Sequence, residues 1–276
     1  MLYLPHELPN AKVLITVKTY PLPSRSYTEL VCTAGLLDGE KWIRMYPIPF
    51  RFLQDQKQYP KYAWVNIDLI RNTKDFRPES YRLKNENFSV SGKLGTSDSW
   101  AARKTFVQKE VFSSMEDLIA LAKGAEKKSL ATMKPKEIVK FEIEEDEREW
   151  RKDWLEQMKQ MDMFEPANQM GQRKVIRKLP YKFYYHFLTE GDKKPRRLMI
   201  EDWEIGALYW HCLSQTDGDE EAAKQLVQQK YFDKFVKEND LLFFLGTTLL
   251  NHNVSRNPFV IIGVFYPPKS DQPLLF

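Results

Sequence analysis

The chain has 276 residues, a formal net charge of +4 and a hydrophobic fraction of 42%. This length favours two modest domains or one large β-rich domain, with enough apolar content to bury a core without disulfides. The charge is too small to indicate a nucleic-acid partner by itself, and no apolar run approaches the about 20 residues of a transmembrane helix.

The two cysteines, Cys32 and Cys212, lie in apolar runs far apart in the sequence. This pattern predicts buried thiols in a reducing compartment. Pro5, His6 and Glu7 interrupt any apolar segment at the start of the chain, so we expect no signal peptide. The sequence therefore predicts a cytoplasmic protein that has no membrane partner.

The first third of the chain is typical of an antiparallel β-sheet. Short apolar segments rich in β-branched and aromatic residues predict four strands, at 12–20, 28–37, 42–46 and 62–71. Asp38-Gly39 is a favourable hairpin turn, because both residue types accept positive φ. Pro47 and Pro49 lack a backbone N–H, so we expect the third strand to end at Tyr46. The pattern predicts a curled sheet or small barrel, followed by turn-rich segments without a clear period.

The middle of the chain predicts two helices on either side of a strand. Ser113 or Ser114 can cap a helix that ends at Gly124, and alternating apolar residues predict a strand over 136–145. A mixed-charge amphipathic pattern predicts a second helix over 146–164. The helix-breaking segment 165–172 then marks a boundary, so we expect a β-rich domain over 1–165 and a mixed domain over 171–276.

The last third alternates between the two element types. We expect strands over 181–188, 240–250 and 257–268, and helices over 201–213 and 219–239. Asp202 is a plausible cap for the first of these helices. The predicted fold class is α+β, with an N-terminal antiparallel β-barrel-like domain that carries a helical insertion and a C-terminal mixed α/β domain.

Cations alternate with aromatic rings in residues 1–110, which carry 17 Lys and Arg against 11 Asp and Glu. Aromatic faces stack on unpaired bases while cations contact phosphates, and small β-barrels use this combination to bind single strands. The nine residues that we expect at such a nucleic-acid site are Lys18, Tyr20, Arg25, Tyr27, Trp42, Arg44, Tyr46, Arg51 and Arg77. The alternative, equally open from the sequence, is that Trp42 and Tyr46 belong to the core.

Cofactor and metal motifs are absent from the sequence. It contains no glycine-rich phosphate loop and no local nucleophile signature. The four histidines do not pair with each other or with a cysteine at ligand spacing, so we expect no zinc site and no cofactor.

Several carboxylates could serve a metal-dependent nuclease. The candidates are Asp68, Asp75, Glu79, and the pair Glu142 and Glu144 beside Lys140. Glu142-x-Glu144 places both carboxylates on one face of a strand, and a solvated strand face is the favoured explanation of the pair. Asp202 and Glu204 are better explained as a helix cap and a first-turn charge.

The chain resembles an uncharacterised family of bacterial proteins. The shared pattern is VKTYPLPSRSYTELVCTAG, KWIRMYPIPFR, KDFRPES, IEDWEIGALY and FFLGTT…NPFVIIGVFYPP. The last of these segments is also similar to the two-strand ending of PUA-like barrels, which implies binding of RNA or modified bases.

We expect a protein that binds or senses nucleic acid, in particular single-stranded or modified DNA or RNA. Two alternatives remain. The aromatic surface could anchor a protein partner in an assembly, since Trp, Tyr and Arg are common interface anchors, or the carboxylates could serve a metal-dependent nuclease.

Overall fold

The computed structural model describes residues 4–23, 29–48, 58–152, 156 and 176–269. Within them the fold is α+β: a closed β-barrel in the first third packs against two sheets and several helices formed by the rest of the chain. No helix in this part of the chain is long and apolar enough to cross a membrane.

A six-stranded sheet curls into a barrel at the N-terminal end. Its strands are β1 (Glu7–Lys18), β2 (Leu22–Pro23), β3 (Glu29–Leu37), β4 (Lys41–Ile48), β5 (Ala63–Arg71) and β6 (Ser80–Lys93). The order is β1-β5-β6-β4-β3-β2, and an additional antiparallel pairing of β1 with β3 closes five of these strands into a ring. The predicted barrel is therefore confirmed.

Two features of the barrel differ from the sequence prediction. The pairing is antiparallel except between β4 and β6, which run parallel at Arg44↔Ser80 and Met45↔Tyr81. Strand β4 also continues to Ile48, past Pro47, with a register irregularity opposite Val31 and Thr33. The irregular pairing accommodates a residue that cannot donate a backbone hydrogen bond.

The remaining elements build two further sheets and a set of helices. The strands are β7 (Val111–Phe112), β8 (Leu130–Met133), β9 (Glu137–Glu145), β10 (Tyr181–Leu188), β11 (Arg196–Met199), β12 (Leu242–Thr247) and β13 (Phe259–Phe265). They form a three-stranded sheet β11-β10-β9 and a four-stranded sheet β13-β12-β8-β7. Strand β8 pairs with β12, and strand β9 pairs with β10. The domain boundary expected between residues 165 and 171 stays a prediction.

Local signals explain where the helices begin. The helices are α1 (Ser97–Val107), α2 (Met115–Lys123), α3 (Trp203–Gln215), α4 (Glu220–Gln228) and α5 (Phe235–Glu238), with a π-helical turn, Gln229–Lys234, joining the last two. Ser114, Asp202 and Asp219 cap α2, α3 and α4 by accepting hydrogen bonds from backbone N–H groups of the first turn. Most of the helix predicted over 146–164 lies outside the described residues.

Three apolar clusters organise the interior. One fills the barrel, and one lies between the three-stranded sheet, the four-stranded sheet and the helices. The third joins the two halves of the molecule, because Ala34, Leu36 and Trp42 on the outside of the barrel pack with Phe244 and Phe265 of the four-stranded sheet. The outer face of β3 and β4 is therefore covered by the C-terminal half.

Candidate functional site

The expected basic-aromatic surface is largely inside the protein. Trp42, Arg44 and Arg77 are only 7%, 3% and 5% exposed. The Trp42 ring meets Phe244 edge-on, with ring centroids 5.4 Å apart. The expectation that these three side chains lie on an open surface is corrected, because each of them contacts the C-terminal half.

Arg44 is the centre of a polar network between the barrel and the C-terminal half. Its guanidinium donates to the Ser129 hydroxyl at 2.7 Å, to the Ser129 carbonyl at 3.2 Å and to the Thr247 carbonyl at 3.4 Å. It also reaches the hydroxyl of Ser80 at 3.3 Å. Burial lowers the pKa of Arg44, and the positive charge of Arg77 lowers it further. These hydrogen bonds occupy Nη1 and Nη2 of the guanidinium, the nitrogens with which an arginine usually contacts a phosphate.

Arg77 joins the same network from the loop between β5 and β6. Its Nε lies 2.8 Å from Asp75 Oδ1, its Nη2 lies 2.5 Å from Asp75 Oδ2, and it also donates to the Thr247 carbonyl. Glu79 accepts from the backbone N–H of Ser129 at 2.9 Å and from its hydroxyl at 2.8 Å. Asp75 and Glu79, which were candidate metal ligands, thus serve the contact between the two halves.

His252 completes the network in its neutral form. Its Nε2 lies 2.9 Å from the Ala122 carbonyl and its Nδ1 lies 2.8 Å from the Thr247 hydroxyl. A carbonyl can only accept, so Nε2 carries the proton and Nδ1 accepts from Thr247. The side chain is fully buried, and burial lowers the pKa of His252.

Lys18 and Tyr20 also face the C-terminal half. Lys18 Nζ donates to the Tyr59 carbonyl at 3.1 Å and lies 5.4 Å from the ring centroid of Trp203. Burial lowers the pKa of Lys18 to about 8. The Tyr20 hydroxyl donates to the Arg177 carbonyl and accepts from Trp210 Nε1, both at 2.8 Å. Both residues therefore have defined structural contacts.

Tyr46 differs from the other described residues of the predicted set, because 39% of its surface is exposed. Tyr46 lies near the end of β4, where its backbone carbonyl accepts a hydrogen bond from Asn72 Nδ2 at 3.4 Å. Burial of the remainder of the side chain raises the pKa of its phenol. Arg25, Tyr27 and Arg51 lie outside the described residues.

A group of exposed apolar side chains is spread over the end of β4 and two loops, those after β5 and after β12. Five of the seven exposed large hydrophobic side chains in the described part of the chain belong to it; we name them the rim patch: Tyr46, Phe76, Leu249, Leu250 and Val254. Phe76 is 46% exposed, and its ring lies 5.2 Å from that of His252 in the loop after β12. The two loops also contain the exposed cations Lys74 and Arg256.

Phe76 was missed by sequence reasoning. It lies in the segment KDFRPES, whose regular pattern is too weak to predict a strand or helix. The available signal was a large aromatic residue in a loop rich in charge and proline, where no core is expected to bury it.

The acidic pair Glu142 and Glu144 lies on the outer face of the three-stranded sheet. Glu142 contacts His186, and Arg197 donates to both carboxylates. The hydrogen bonds from Arg197 and His186 lower the pKa of Glu142 to about 2. No group of three or more His, Cys, Asp and Glu side chains that could bind a metal ion occurs among the described residues. The pair is an ion-paired strand face.

The two cysteines are free thiols. Cys212 is buried in α3, and Cys32 is half-buried in β3. Burial raises the pKa of both thiols, although the nearby Arg44 and Arg77 charges partly oppose this for Cys32. Neither environment favours a reactive thiolate.

Two family models match the chain and meet near residue 110. Residues 9–109 match the family described as Domain of unknown function (DUF8758), and residues 111–276 match that described as Domain of unknown function (DUF8757). The second match covers more than half of the chain, so the chain belongs to the DUF8757 family. No curated protein matches the chain. The expected membership of an uncharacterised family is therefore confirmed.

Proposed function

We propose that the protein binds single-stranded nucleic acid at the rim patch, with the rings of Tyr46 and Phe76 stacking on bases. The observation that carries the proposal is the exposure of these two rings, 39% and 46%, at the end of β4 and in the loop after β5. Asn72 of that loop donates a hydrogen bond to the Tyr46 carbonyl, so the two segments are in contact. An aromatic face stacks on any unpaired base, which explains why such surfaces bind single strands with little sequence preference.

The connectivity of the barrel supports the same function. With β1, β3, β4, β5 and β6 numbered one to five, the order around the ring is 1-2-3-5-4, and strands three and five are parallel. OB-folds are five-stranded Greek-key barrels with this connectivity. They bind oligonucleotides with strands two and three and with the loops between strands one and two and between four and five. Phe76 lies in the loop between strands four and five.

The covered face of the barrel limits the extent of the site. The outer surface of strands two and three packs against the four-stranded sheet, so a ligand contacts the end of strand three and the neighbouring loops. We expect a short site of a few nucleotides, in which Lys74 and Arg256 contact phosphates. The likeness of the closing hairpin to PUA-like barrels and the cytoplasmic location stay predictions.

The experiment is a fluorescence anisotropy titration with labelled oligothymidylate and oligouridylate at several salt concentrations. Tyr46→Ala combined with Phe76→Ala should weaken binding by at least about thirtyfold, since each of the two stacked bases contributes about 1–3 kcal/mol. The matched control is Val111→Ala with Val139→Ala, which removes two exposed apolar side chains elsewhere. Equal affinities of the two double variants would contradict the proposal.

A protein partner is the second candidate for the rim patch. Leu250 and Val254 are 86% and 78% exposed, and aliphatic side chains cannot stack on bases as rings do. Affinity for a protein partner would depend little on salt, whereas nucleic-acid affinity falls steeply as salt rises. The salt series therefore separates the two functions.

A further inference from the structure

A second concave surface lies at the other end of the β12–β13 hairpin. It is a groove of about 740 Å³ between the residues that follow β13 and the helical segment α4–α5. Leu249, Leu250 and Val254 of the rim patch lie in the loop that joins the two strands, and β13 spans seven residues, or about 20 Å at the usual rise of a strand. The groove and the rim patch are therefore separate surfaces.

One wall of the groove is aromatic and firmly packed. The ring of Tyr266 stacks on Phe235 at 4.2 Å with an interplanar angle of 17°, and Trp100 meets Tyr266 edge-on at 4.9 Å. Behind the wall, the Arg103 guanidinium lies 4.7 Å from the Trp100 ring and 4.0 Å from the Tyr62 ring. Trp100 and Tyr266 remain half-buried, so they present ring surface that is fixed in place.

The backbone that carries Trp100 is in an unfavourable conformation. Asp98, Ser99 and Trp100 have φ values of 50°, 46° and 66°, in the left-handed region. For residues with a Cβ atom this conformation is costly, and three consecutive cases are unusual. Such strain is characteristic of functional sites, where the surrounding structure fixes a side chain in a required position. Here it directs an indole ring against Tyr266 at the groove.

The helical side of the groove also carries cations. Lys230, Lys234 and Lys237 line the groove with exposed side chains, and their ammonium groups make no ion pair within the described residues. The π-helical turn Gln229–Lys234 sets the spacing of the first two lysines, and such turns occur frequently at functional sites. Asp233 and Glu238 also line the groove and can accept hydrogen bonds from hydroxyl groups.

We propose that this groove binds a nucleoside phosphate. The base would stack against Trp100 and Tyr266, and the phosphates would contact the lysines of the helical side. The groove lies within the volume range of about 300–1,000 Å³ that is usual for small-molecule sites. A ring surface and separate cations in one groove match a ligand with an aromatic group at one end and an anionic group at the other. This proposal does not depend on nucleic-acid binding at the rim patch.

Isothermal titration calorimetry of the full chain with ADP, adenosine and inorganic pyrophosphate tests the proposal. ADP should bind more tightly than adenosine or pyrophosphate, because only ADP has both a base for the aromatic rings and phosphates for the lysines. Lys230→Gln with Lys234→Gln should weaken ADP binding at least about tenfold, since two charge-assisted contacts are lost. These side chains are exposed, so the variant should fold normally.

Controls assign the result to the groove. Lys193→Gln with Lys194→Gln removes two exposed lysines from the loop between β10 and β11 and should leave ADP affinity unchanged. Trp100→Phe keeps an aromatic ring, so it should weaken ADP binding less than Trp100→Ala does. Tyr46→Ala with Phe76→Ala, at the rim patch, should leave the affinity for ADP unchanged. Absence of ADP binding, equal affinity for ADP and pyrophosphate, or equal loss in the two lysine variants would each overturn the proposal.

Discussion

Lys61 of the barrel and Asp202 of the C-terminal half form an ion pair inside the protein. The Lys61 ammonium lies 3.0 and 2.9 Å from the two Asp202 carboxylate oxygens and 3.1 Å from Glu204. Asp202 also accepts from the backbone N–H groups of Glu204 and Val264. Burial works against the charge on Lys61, but the charges of Asp202 and Glu204 outweigh it and raise the pKa of the ammonium group.

Removal of the Lys61 charge should destabilise the protein strongly. Lys61→Met leaves the Asp202 carboxylate buried without its cation, and we expect the free energy of unfolding to fall by about 3–5 kcal/mol. Urea denaturation followed by tryptophan fluorescence measures the change. Lys136→Met, at an exposed lysine outside any described ion pair, is the control and should change stability little. Similar stabilities of the two variants would show that the ion pair of Lys61 and Asp202 contributes nothing to the free energy of unfolding.

Arg44→Ala should lower stability without changing the affinity of the folded protein for single strands. The substitution removes hydrogen bonds to buried groups of Ser129 and Thr247, at an expected loss of about 2–4 kcal/mol. Because Arg44 is only 3% exposed, a phosphate from solution cannot reach its guanidinium. Arg82→Ala on β6 is the exposed control. A stable Arg44→Ala protein with weakened binding would instead restore the surface role that the sequence suggests.

The stability that His252 contributes should be lost as the pH falls. Burial lowers the pKa of His252 in the folded protein, so the unfolded chain, with a pKa of about 6.5, binds the proton more readily. The stabilisation by His252 is therefore complete above a pH of about 6.5 and declines as the pH falls below it. Denaturation at several pH values should show wild type losing stability relative to His252→Gln between neutral and acidic pH. A constant difference in stability between the two proteins over this pH range would contradict the prediction.

Gly35→Ala should destabilise the barrel where β1 and β3 close it. A Cβ atom on Gly35 would lie 2.3 Å from the Leu14 carbonyl oxygen and 2.8 Å from Val13 Cγ1. Since backbone must move to relieve this contact, we expect a loss of about 1–3 kcal/mol in thermal or urea denaturation. Gly95→Ala is the matched control, because its nearest neighbour would be 3.9 Å away. Equal unfolding midpoints would mean that the strands separate easily.

The sequence predicted the elements that have a local signal. The strands of the barrel have β-branched residues bounded by turns, and Asp38 and Gly39 adopt the expected positive φ of 52° and 72°. Strand β6 was missed because its pairing with β5 is irregular between Ile67 and Leu69, which interrupts the alternation of apolar residues. Helix α1 was missed as well, and the left-handed residues in its first turn are not glycines, so no residue type signals that conformation.

The candidate site was less predictable, because its character depends on distant partners. Arginine is rarely buried unless it is paired, and the partners of Arg44, Ser129 and Thr247, are 85 and 203 residues away. The sequence therefore identified Arg44 as unusual but assigned it to the surface. Tyr46 was among the aromatic candidates and is exposed, whereas Phe76 was missed because its segment has no regular pattern that predicts a strand or helix.

The polar network between the two halves also has an evolutionary consequence. Arg44, Arg77, Ser129, Thr247 and His252 satisfy one another's hydrogen-bonding groups across the contact between the barrel and the C-terminal half. A change at one of these positions leaves a buried donor or acceptor without a partner, so it should persist only with a compensating change at another. Homologous chains should therefore vary at these five positions in concert, and the two matched regions should be inherited as a pair.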